Sequence, residues 1–356
     1  MLLPETRFPL RLDAAGLTSF ATSVLVAAGA SPANASIVAE HLVDSDAAGL
    51  PSHGVTRLTQ YVAEIRRGEI NPAATPRVTQ VGGAIVAIDG GMGFGQVAGQ
   101  VAVDQVAAAA EPNGIAFVTV HRAGHAGRIG AYVEALAARG LVAIAYCSGP
   151  RSGHFVAPFG GREGRLATNP IAYAFPTGGF PIVADFATSA APEGVIRLLR
   201  DLGRDAPQGA LRDSVGQLTS DPAALYAHPP GAIQPIGGEL QGHKGTALAI
   251  LVELLGTLCV GEEPGDPGRT GNNLAIIALV VDSGFPSRAE RFADYVRSAT
   301  PIEPQRPVMM PGDREFASRR AAATTGVPVD AVVFRALNKC ASELAVPALD
   351  VREGVP

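Results

Sequence analysis

An α/β fold is what this sequence predicts, and three observations carry the prediction. Through the middle of the chain, short runs rich in Val, Ile, Ala and aromatics alternate with alanine-rich stretches of helical period. Both ends of the chain read as helical instead. A length of 356 residues with 47% hydrophobic content is enough for two or three lobes and a substantial interior.

Taken in order, residues 12–48 contain "GLTSFATSVLVAAGA" and "NASIVAEHLVDSDAAG", two amphipathic helices broken at Ser31–Asn34. A third helix is expected from about His53 to Arg67, capped by Ser52 and stopped by Gly68. From about Thr79 come the strand-like runs "AIVAIDG", "GIAFVTV", "LVAIAYC", "PIAYAFP" and "FPIVADF". Between them, "QVAGQVAVDQVAAAAEPNG" and "GRIGAYVEALAARG" read as helices that each end at a glycine. Strands alternating with helices imply an α/β layer architecture. Residues 203–236 are rich in Pro and Gly and read as an irregular excursion. A helix over 244–259 and the strand "NNLAIIALVVD" follow, and the tail from Pro301 returns to a helical pattern.

Composition excludes several classes. The net charge is −5 and Lys and Arg are scattered, so no basic face marks a nucleic-acid partner. Cys147, Cys259 and Cys340 lie far apart without CxxC or Cys/His spacing, which argues against a disulfide framework and a structural metal. They read as small core residues in a reducing cytosol. The start, "MLLPETRFPL", lacks the layout of a signal peptide. The apolar stretch Gly245 to Val260 is interrupted by Glu253 and is shorter than the roughly 20 residues that span a bilayer. A soluble cytoplasmic protein is expected.

The glycines of "DGGMGFGQVAGQVAVDQVA" sit between a strand and a helix, but their spacing is G-x-G-x-G. A dinucleotide fingerprint needs G-x-G-x-x-G and an acid at the end of the next strand, where this chain has His121. A tight turn explains them at least as well.

Four clusters could carry chemistry. On a helix beginning near His53, residues His53, Arg57 and Tyr61 share one face, while Val55, Leu58, Val62 and Ile65 form the core stripe. Arginine offers a fork for a carboxylate, and histidine exchanges protons near neutral pH. The competing reading is a solvated helix face. In "VTVHRAGHAGRIG", a strand-to-helix loop carries His121 and His125 among glycines, a place where ligands often sit. In "FPIVADFATSAAPEG", Asp185 stands at a strand end before Thr188 and Ser189, where it could orient a histidine or cap the next helix. In "LQGHKGTALAILVELL", Lys244 beside His243 starts an apolar helix against the dipole, which suggests an anionic partner.

In this order the clusters resemble the malate/L-lactate dehydrogenase family that is unrelated to Rossmann-type enzymes, with sulfolactate, ureidoglycolate and diketogulonate oxidoreductases and Δ1-piperideine-2-carboxylate reductases among its members. The matching segments are "DAAGLPSHGVTRLTQYV", "HRAGHAGRIGAYVEALAARGLVAI", "APFGGREGRLATNPIAYAFPTG", "VADFATSAAPEG", "DSVGQLTSDP", "QPIGGELQGHKGTALAILVELL" and "VMMPGDRE". The resemblance implies an L-sulfolactate-dehydrogenase-like fold with a mixed-sheet cofactor domain over 76–300 and a helical domain built from 1–75 and 301–356. It implies NADH or NADPH held without a GxGxxG loop, no metal, and a homodimer with the active site near the subunit interface. His53 is similar to the family's acid/base, and His125 and Asp185 to its other catalytic positions. Ser52, Arg57, Tyr61, Thr168 and Asn169 correspond to substrate contacts. His125, Asp185, Thr188, Ser189, His243, Lys244, Gly312 and Asp313 correspond to cofactor contacts.

Departures fall around that pocket. The family's Gly-Thr-Asn-Pro is Ala167-Thr168-Asn169-Pro170 here, its Pro-Gly-Glu is Pro311-Gly312-Asp313, and its Lys-Gly-Tyr-Gly is Lys244-Gly245-Thr246-Ala247. A usual lysine is Val195, and a common asparagine gives way to Cys147-Ser148. The expected activity is hydride transfer from a nicotinamide to the C=O of a 2-oxo acid or the C=N of a cyclic 2-imino acid, reversible as a 2-hydroxy acid dehydrogenase. The rival is a catalytically silent relative that binds a small acid as a sensor or scaffold.

Overall fold

The computed structural model describes residues 10–257, 262–263, 265–266 and 268–350. A short strand, β1 (Leu10–Leu12), precedes α1 (Ala14–Ala27), α2 (Pro32–Ala47) and α3 (Arg57–Arg66). Asp13 caps α1 by accepting from the Gly16 N–H, and Ser31 caps α2 by accepting from Asn34. Leu17, Ala21 and Val24 of α1 meet Val38, Ala39 and Leu42 of α2 and Leu58 and Val62 of α3 in one buried cluster.

The next elements are β2 (Arg77–Gly82), β3 (Ile85–Gly93), α4 (Gly95–Asn113), β4 (Ile115–Ala123) and α5 (Gly130–Ala137). They lead into β5 (Leu141–Ser148), β6 (Ile171–Phe175), β7 (Ile182–Phe186) and α6 (Glu193–Asp201). Within the excursion lie β8 (Leu211–Arg212), β9 (Leu218–Thr219) and β10 (Ala232–Ile233). The chain then runs through α7 (Gly238–Thr257), β11 (Asn272–Val280), α8 (Phe285–Arg297), α9 (Asp313–Thr325), β12 (Val327–Val329) and α10 (Ala331–Glu343).

The main sheet is seven-stranded and mixed, in the order β2-β3-β4-β11-β5-β6-β7. β3 and β4 are parallel, joined by the α4 crossover, and the other neighbours pair antiparallel. Alternation along the strands gives two faces. Val118, Val120, Ala143, Ala145, Leu274 and Ile276 pack with α4 and α5, while Tyr146, Ile171 and Ala275 pack with Val252 of α7. β1 pairs with β12, so the N-terminal helices and the tail share one core that includes Val329, Leu337 and Ala341.

Several expectations change. The third helix starts at Arg57, not His53, because Pro51–His53 form a 3₁₀ turn and Gly54 then runs extended. Ser52 therefore does not cap it. α7 begins at Gly238, so Lys244 sits in its second turn rather than at its start, and the dipole argument for an anionic partner lapses. Residues 203–236 are more ordered than their Pro and Gly content predicts. They form the small β10-β8-β9 sheet, whose Leu211 and Ile233 pack with Ile196 and Leu225. Cys147 and Cys340 are buried. Cys259 and the end of the expected 244–259 helix lie outside the described residues. No helix among the described residues is long and apolar enough to cross a membrane.

The glycines between β3 and α4 serve close packing. A Cβ on Gly90 would lie 2.8 Å from the Arg122 carbonyl, and one on Gly95 would lie 2.5 Å from the carbonyls of Gly124 and His125. Only glycine lets this turn press against the loop that carries His125.

Candidate active site

The segment between α2 and α3 is held from below by a carboxyl group. Asp46, buried in α2, accepts the Val55 N–H at 2.7 Å. Burial, opposed by that hydrogen bond, pushes its carboxyl up to about 8. Gly54 lies directly over it, where any Cβ would come within 2.3 Å of the carboxyl atoms. The Ser52–His53 turn is thus clamped by a backbone bond and by the absence of a side chain.

Arg57 is locked from the same segment. Its Nε donates to the Ser52 carbonyl at 2.7 Å and its Nη1 to Gln60 Oε1 at 2.7 Å, and Gln60 in turn bonds Glu64. Among the described residues Nη2 has no acceptor. It points past Gly194 at the start of α6, where a Cβ would stand 2.7 Å away. Nη2 is therefore the guanidinium nitrogen left to donate to a carboxylate.

His125 enters from the loop between β4 and α5. Its Nδ1 meets the Tyr61 hydroxyl at 2.8 Å and accepts the Gly127 N–H at 3.3 Å. The Tyr61 hydroxyl itself accepts from Gln96 Nε2 at 2.7 Å. Two donors on Nδ1 place the neutral ring's proton on Nε2. Tyr61 is only 1% exposed, so it is core as well as relay, although the expected core stripe comprised Val55, Leu58, Val62 and Ile65 alone. It acts through His125.

The rings of His53 and His125 stack with centroids 5.8 Å apart, and Ser52 Oγ lies 3.1 Å from His53 Nδ1. Both rings keep an edge at the surface, yet desolvation and then Arg57 pull His53 down to about 3 and His125 well below the usual imidazole value. His41 behind them is also held neutral, near 3, by burial and then Arg128, and its Nε2 accepts the Arg128 N–H at 2.9 Å. The resting site therefore holds uncharged imidazoles beside a guanidinium.

Ser52, His53, Arg57, Tyr61 and His125 come together in this way. The other anticipated residues form three separate groups. Asn169 is fully buried with a left-handed φ of 37°, and its amide donates to Ala249 O of α7 at 2.9 Å. Thr188 donates to the carbonyls of Thr168 and Asn169, and Ser189 to that of Ala191. These hydroxyl protons are spent inside the fold, so Thr188 and Ser189 shape the Thr168–Asn169 loop.

Asp185 at the end of β7 accepts the Gly130 N–H at 2.7 Å, and no imidazole among the described residues bonds to it. Tyr61, not Asp185, orients His125. Asp185 and Gly312 line a recess of about 30 Å³ with Glu315, Arg128 and Arg319. Asp313 begins α9, where it pairs with Arg297 at 2.8 Å and accepts the Met310 N–H. His243 and Lys244 lie exposed on α7, with Phe159 edge-on to His243 at 5.7 Å. The carboxylates of Asp185 and Glu315 are acceptors suited to sugar hydroxyls, and exposed Lys244 suits a phosphate. These groups supply the acceptors and the cation that a nucleotide's sugars and phosphates would need.

Gln96, Asp46 and the α6 residues were not anticipated. Gln96 sits inside the glycine-rich turn, and its only signal was being an amide among small residues at a helix start.

Paired imidazoles beside a guanidinium, set against a mixed-sheet α/β fold, point to an enzyme, and comparison with known proteins identifies its class. The family model for malate/L-lactate dehydrogenase matches residues 12–338. The chain is 34% identical to an L-lactate dehydrogenase of Cupriavidus necator, covering 87% of this chain and 90% of that protein. It is 34% identical to a Δ1-pyrroline-2-carboxylate reductase of Ancylobacter novellus, covering 92% and 97%. Its fold is similar to the sulfolactate dehydrogenase of Methanocaldococcus jannaschii, with TM-score 0.82 and 27% identity over 98% of this chain and 100% of that one. The chain belongs to the malate/L-lactate dehydrogenase family and is an oxidoreductase of that kind.

Proposed function

We propose that this protein is an NAD(P)H-dependent reductase acting on a C=O or C=N bond beside a carboxylate, reversible as a 2-hydroxy acid dehydrogenase. The observation that carries the reading is the convergence of two neutral imidazoles, 5.8 Å apart, beside the free Nη2 of Arg57.

The free Nη2 of Arg57 receives the substrate carboxylate and fixes the neighbouring carbon, and such positioning lowers a barrier by up to about 7–11 kcal/mol in ideal cases. Bound nicotinamide supplies the hydride. His125 presents Nε2–H and donates to the carbonyl oxygen or imine nitrogen, where negative charge develops. His53 carries the transferred proton. Its low resting affinity for that proton stems from desolvation and then Arg57. A carboxylate on Arg57 cancels the second cause, so substrate binding raises His53 and draws in a proton. In the reverse direction neutral His53 accepts the proton of the hydroxy acid. Ser52 and Thr168 are the remaining candidates for direct substrate contact, while Tyr61, Gln96 and Asn169 act as positioning residues.

For the cofactor, Asp185 and Glu315 would accept from ribose hydroxyls and His243 and Lys244 would face phosphates. Gly312 keeps the approach to β7 open, since a Cβ there would crowd Val183 and Phe316. α7 also leaves Leu240, Ile250, Leu251 and Leu254 uncovered, which supports a homodimer joined near this face, in a reducing cytoplasm where Cys147 and Cys340 stay free thiols.

The test is to mix the protein with NADH or NADPH and a panel of 2-oxo acids, with and without methylamine, and with cyclic imines. Loss of reduced-nicotinamide absorbance identifies cofactor and acceptor class together. No consumption with any acceptor, despite cofactor binding, would sink the reading.

A further inference from the structure

Glu253 is the one acid in the apolar run of α7, and hydride transfer as proposed above leaves it unused. It is 6% exposed, and its Oε1 pairs with Arg269 at 2.9 Å. Arg269 stands just before β11, is itself buried, and donates through Nη2 to the Gly149 carbonyl at the end of β5. Taking two charges out of water costs about as much as their attraction returns. Such a pair is therefore a poor stabilising device and is better explained by what it holds in place.

What it holds is Asn169. The second carboxylate oxygen, Oε2, accepts from Asn169 Nδ2 at 3.3 Å, and the same amide donates to Ala249 O, one turn earlier on α7. Asn169 is fully buried at a φ of 37°, a backbone region that persists only where the surroundings enforce it. From the other side, the Thr188 hydroxyl reaches the carbonyls of Thr168 and Asn169, and the Thr188 N–H donates to Thr168 O at 3.0 Å. The turn is gripped through its side chain by α7 and through its carbonyls by Thr188. Thr168 is left half-buried, with its hydroxyl unbonded among the described residues.

We propose that Glu253 is a positioning residue for the reaction. With Arg269 neutralising it, its carboxylate fixes Asn169 in the left-handed turn and so presents the Thr168 hydroxyl to the substrate. The inference rests on the reading that Thr168 is a substrate contact. It gives the buried pair on the α7 side of the sheet a part in substrate binding without any contact of its own.

The experiment compares two double variants that both remove the buried charges and the Gly149 bond. Glu253→Gln with Arg269→Met keeps an acceptor for Asn169, and Glu253→Leu with Arg269→Met does not. Hydrogen–deuterium exchange across 166–172 and 186–190 reads the placement of the turn without any substrate. The leucine variant should exchange there at least about tenfold faster than wild type, with α4 and β4 unchanged, and the glutamine variant should stay within about threefold. Asn169→Gly, which tolerates the left-handed φ but lacks the amide, should reproduce the leucine variant and decides the matter if the doubles fold poorly. Kinetics use NADH or NADPH with pyruvate and then the other acceptors of the panel above. The leucine variant and Thr168→Val should each raise KM about threefold to tenfold with kcat within about twofold, and the glutamine variant should not. Combining Thr168→Val with the leucine variant should add nothing further. Wild-type exchange in the leucine variant and in Asn169→Gly, or an equal effect in the glutamine variant, overturns the role of Glu253. A wild-type KM in Thr168→Val overturns the reading of Thr168 instead, and silence with every acceptor overturns hydride transfer. In both of those cases exchange still decides whether Glu253 holds the turn.

Discussion

At the scale of single residues, the site depends on how two neutral imidazoles are oriented. Tyr61 donates to His125 Nδ1 while accepting from Gln96, so Tyr61→Phe removes the orienting bond and strands a buried amide. Stability should fall by about 1–3 kcal/mol, the usual cost of an unsatisfied buried polar group, and kcat should fall more than KM rises. Urea unfolding and steady-state kinetics read the two effects separately. His53→Ala should abolish turnover while cofactor binding stays near normal, and wild-type-like turnover there would exclude His53 as the proton carrier. His53 also has a stability signature. Its folded value near 3 lies below the unfolded value near 6.5, so the unfolded chain binds more protons in that window. Its contribution is full above about pH 6.5 and is lost as pH falls toward 3, and the variant should be less acid-sensitive across that range. His53, Arg57, Tyr61 and His125 were legible in the sequence because each is a chemically distinctive residue in a short motif. Their partnership was not, since Tyr61 and His125 lie 64 positions apart and Gln96 sits 35 from Tyr61.

At the scale of elements, periodicity located the helices and strands but misjudged how α3 begins. A single helix from His53 would carry His53, Arg57 and Tyr61 on one face. In fact Pro51 and Gly54 divide the segment into a 3₁₀ turn and a helix, and long-range clamping by Asp46 decides where they part. Sequence spacing carries no record of such a clamp. Likewise α7 starts a turn and a half before its apolar run, because Gly238, Glu239 and Gln241 are helical without being hydrophobic. Asp46 gives the clamp a measurable sign. Its folded value near 8 exceeds the unfolded value near 3.8, so the folded protein binds the extra proton between those limits. Stability therefore falls as pH rises from about 4 through 8, and Asp46→Asn should flatten that descent. Thermal unfolding across this range checks it. An unchanged slope in the variant would show that Asp46 is not the group responsible.

At the scale of the whole molecule, the N-terminal helices, α5 and the C-terminal tail meet at a knot of ion pairs. Asp44 of α2 takes Arg128 at 2.9 Å and Arg319 of α9 at 2.8 Å, and both arginines also pair with Glu134 of α5. Alternating signs satisfy each charge twice, and three distant stretches of sequence are fixed to one another. The alternation of strands and helices made the sheet legible, and the helical ends were visible too. Nothing local announced that α2 and α9 close on the same arginine pair. The knot also walls the recess of Asp185 and Gly312, so loosening it should reach the cofactor side as well as the fold. Arg128 is 4% exposed at its side chain and Arg319 is 20% exposed. Either removal leaves the same two carboxylates with one arginine, but losing Arg128 also empties a buried space, whereas Arg319 stands partly in solvent. Arg128→Ala should therefore cost on the order of 3 kcal/mol and Arg319→Ala distinctly less. Urea midpoints of the two variants test the ranking. Equal losses would mean that the knot is held by the geometry of α2 and α9 rather than by the burial of its charges.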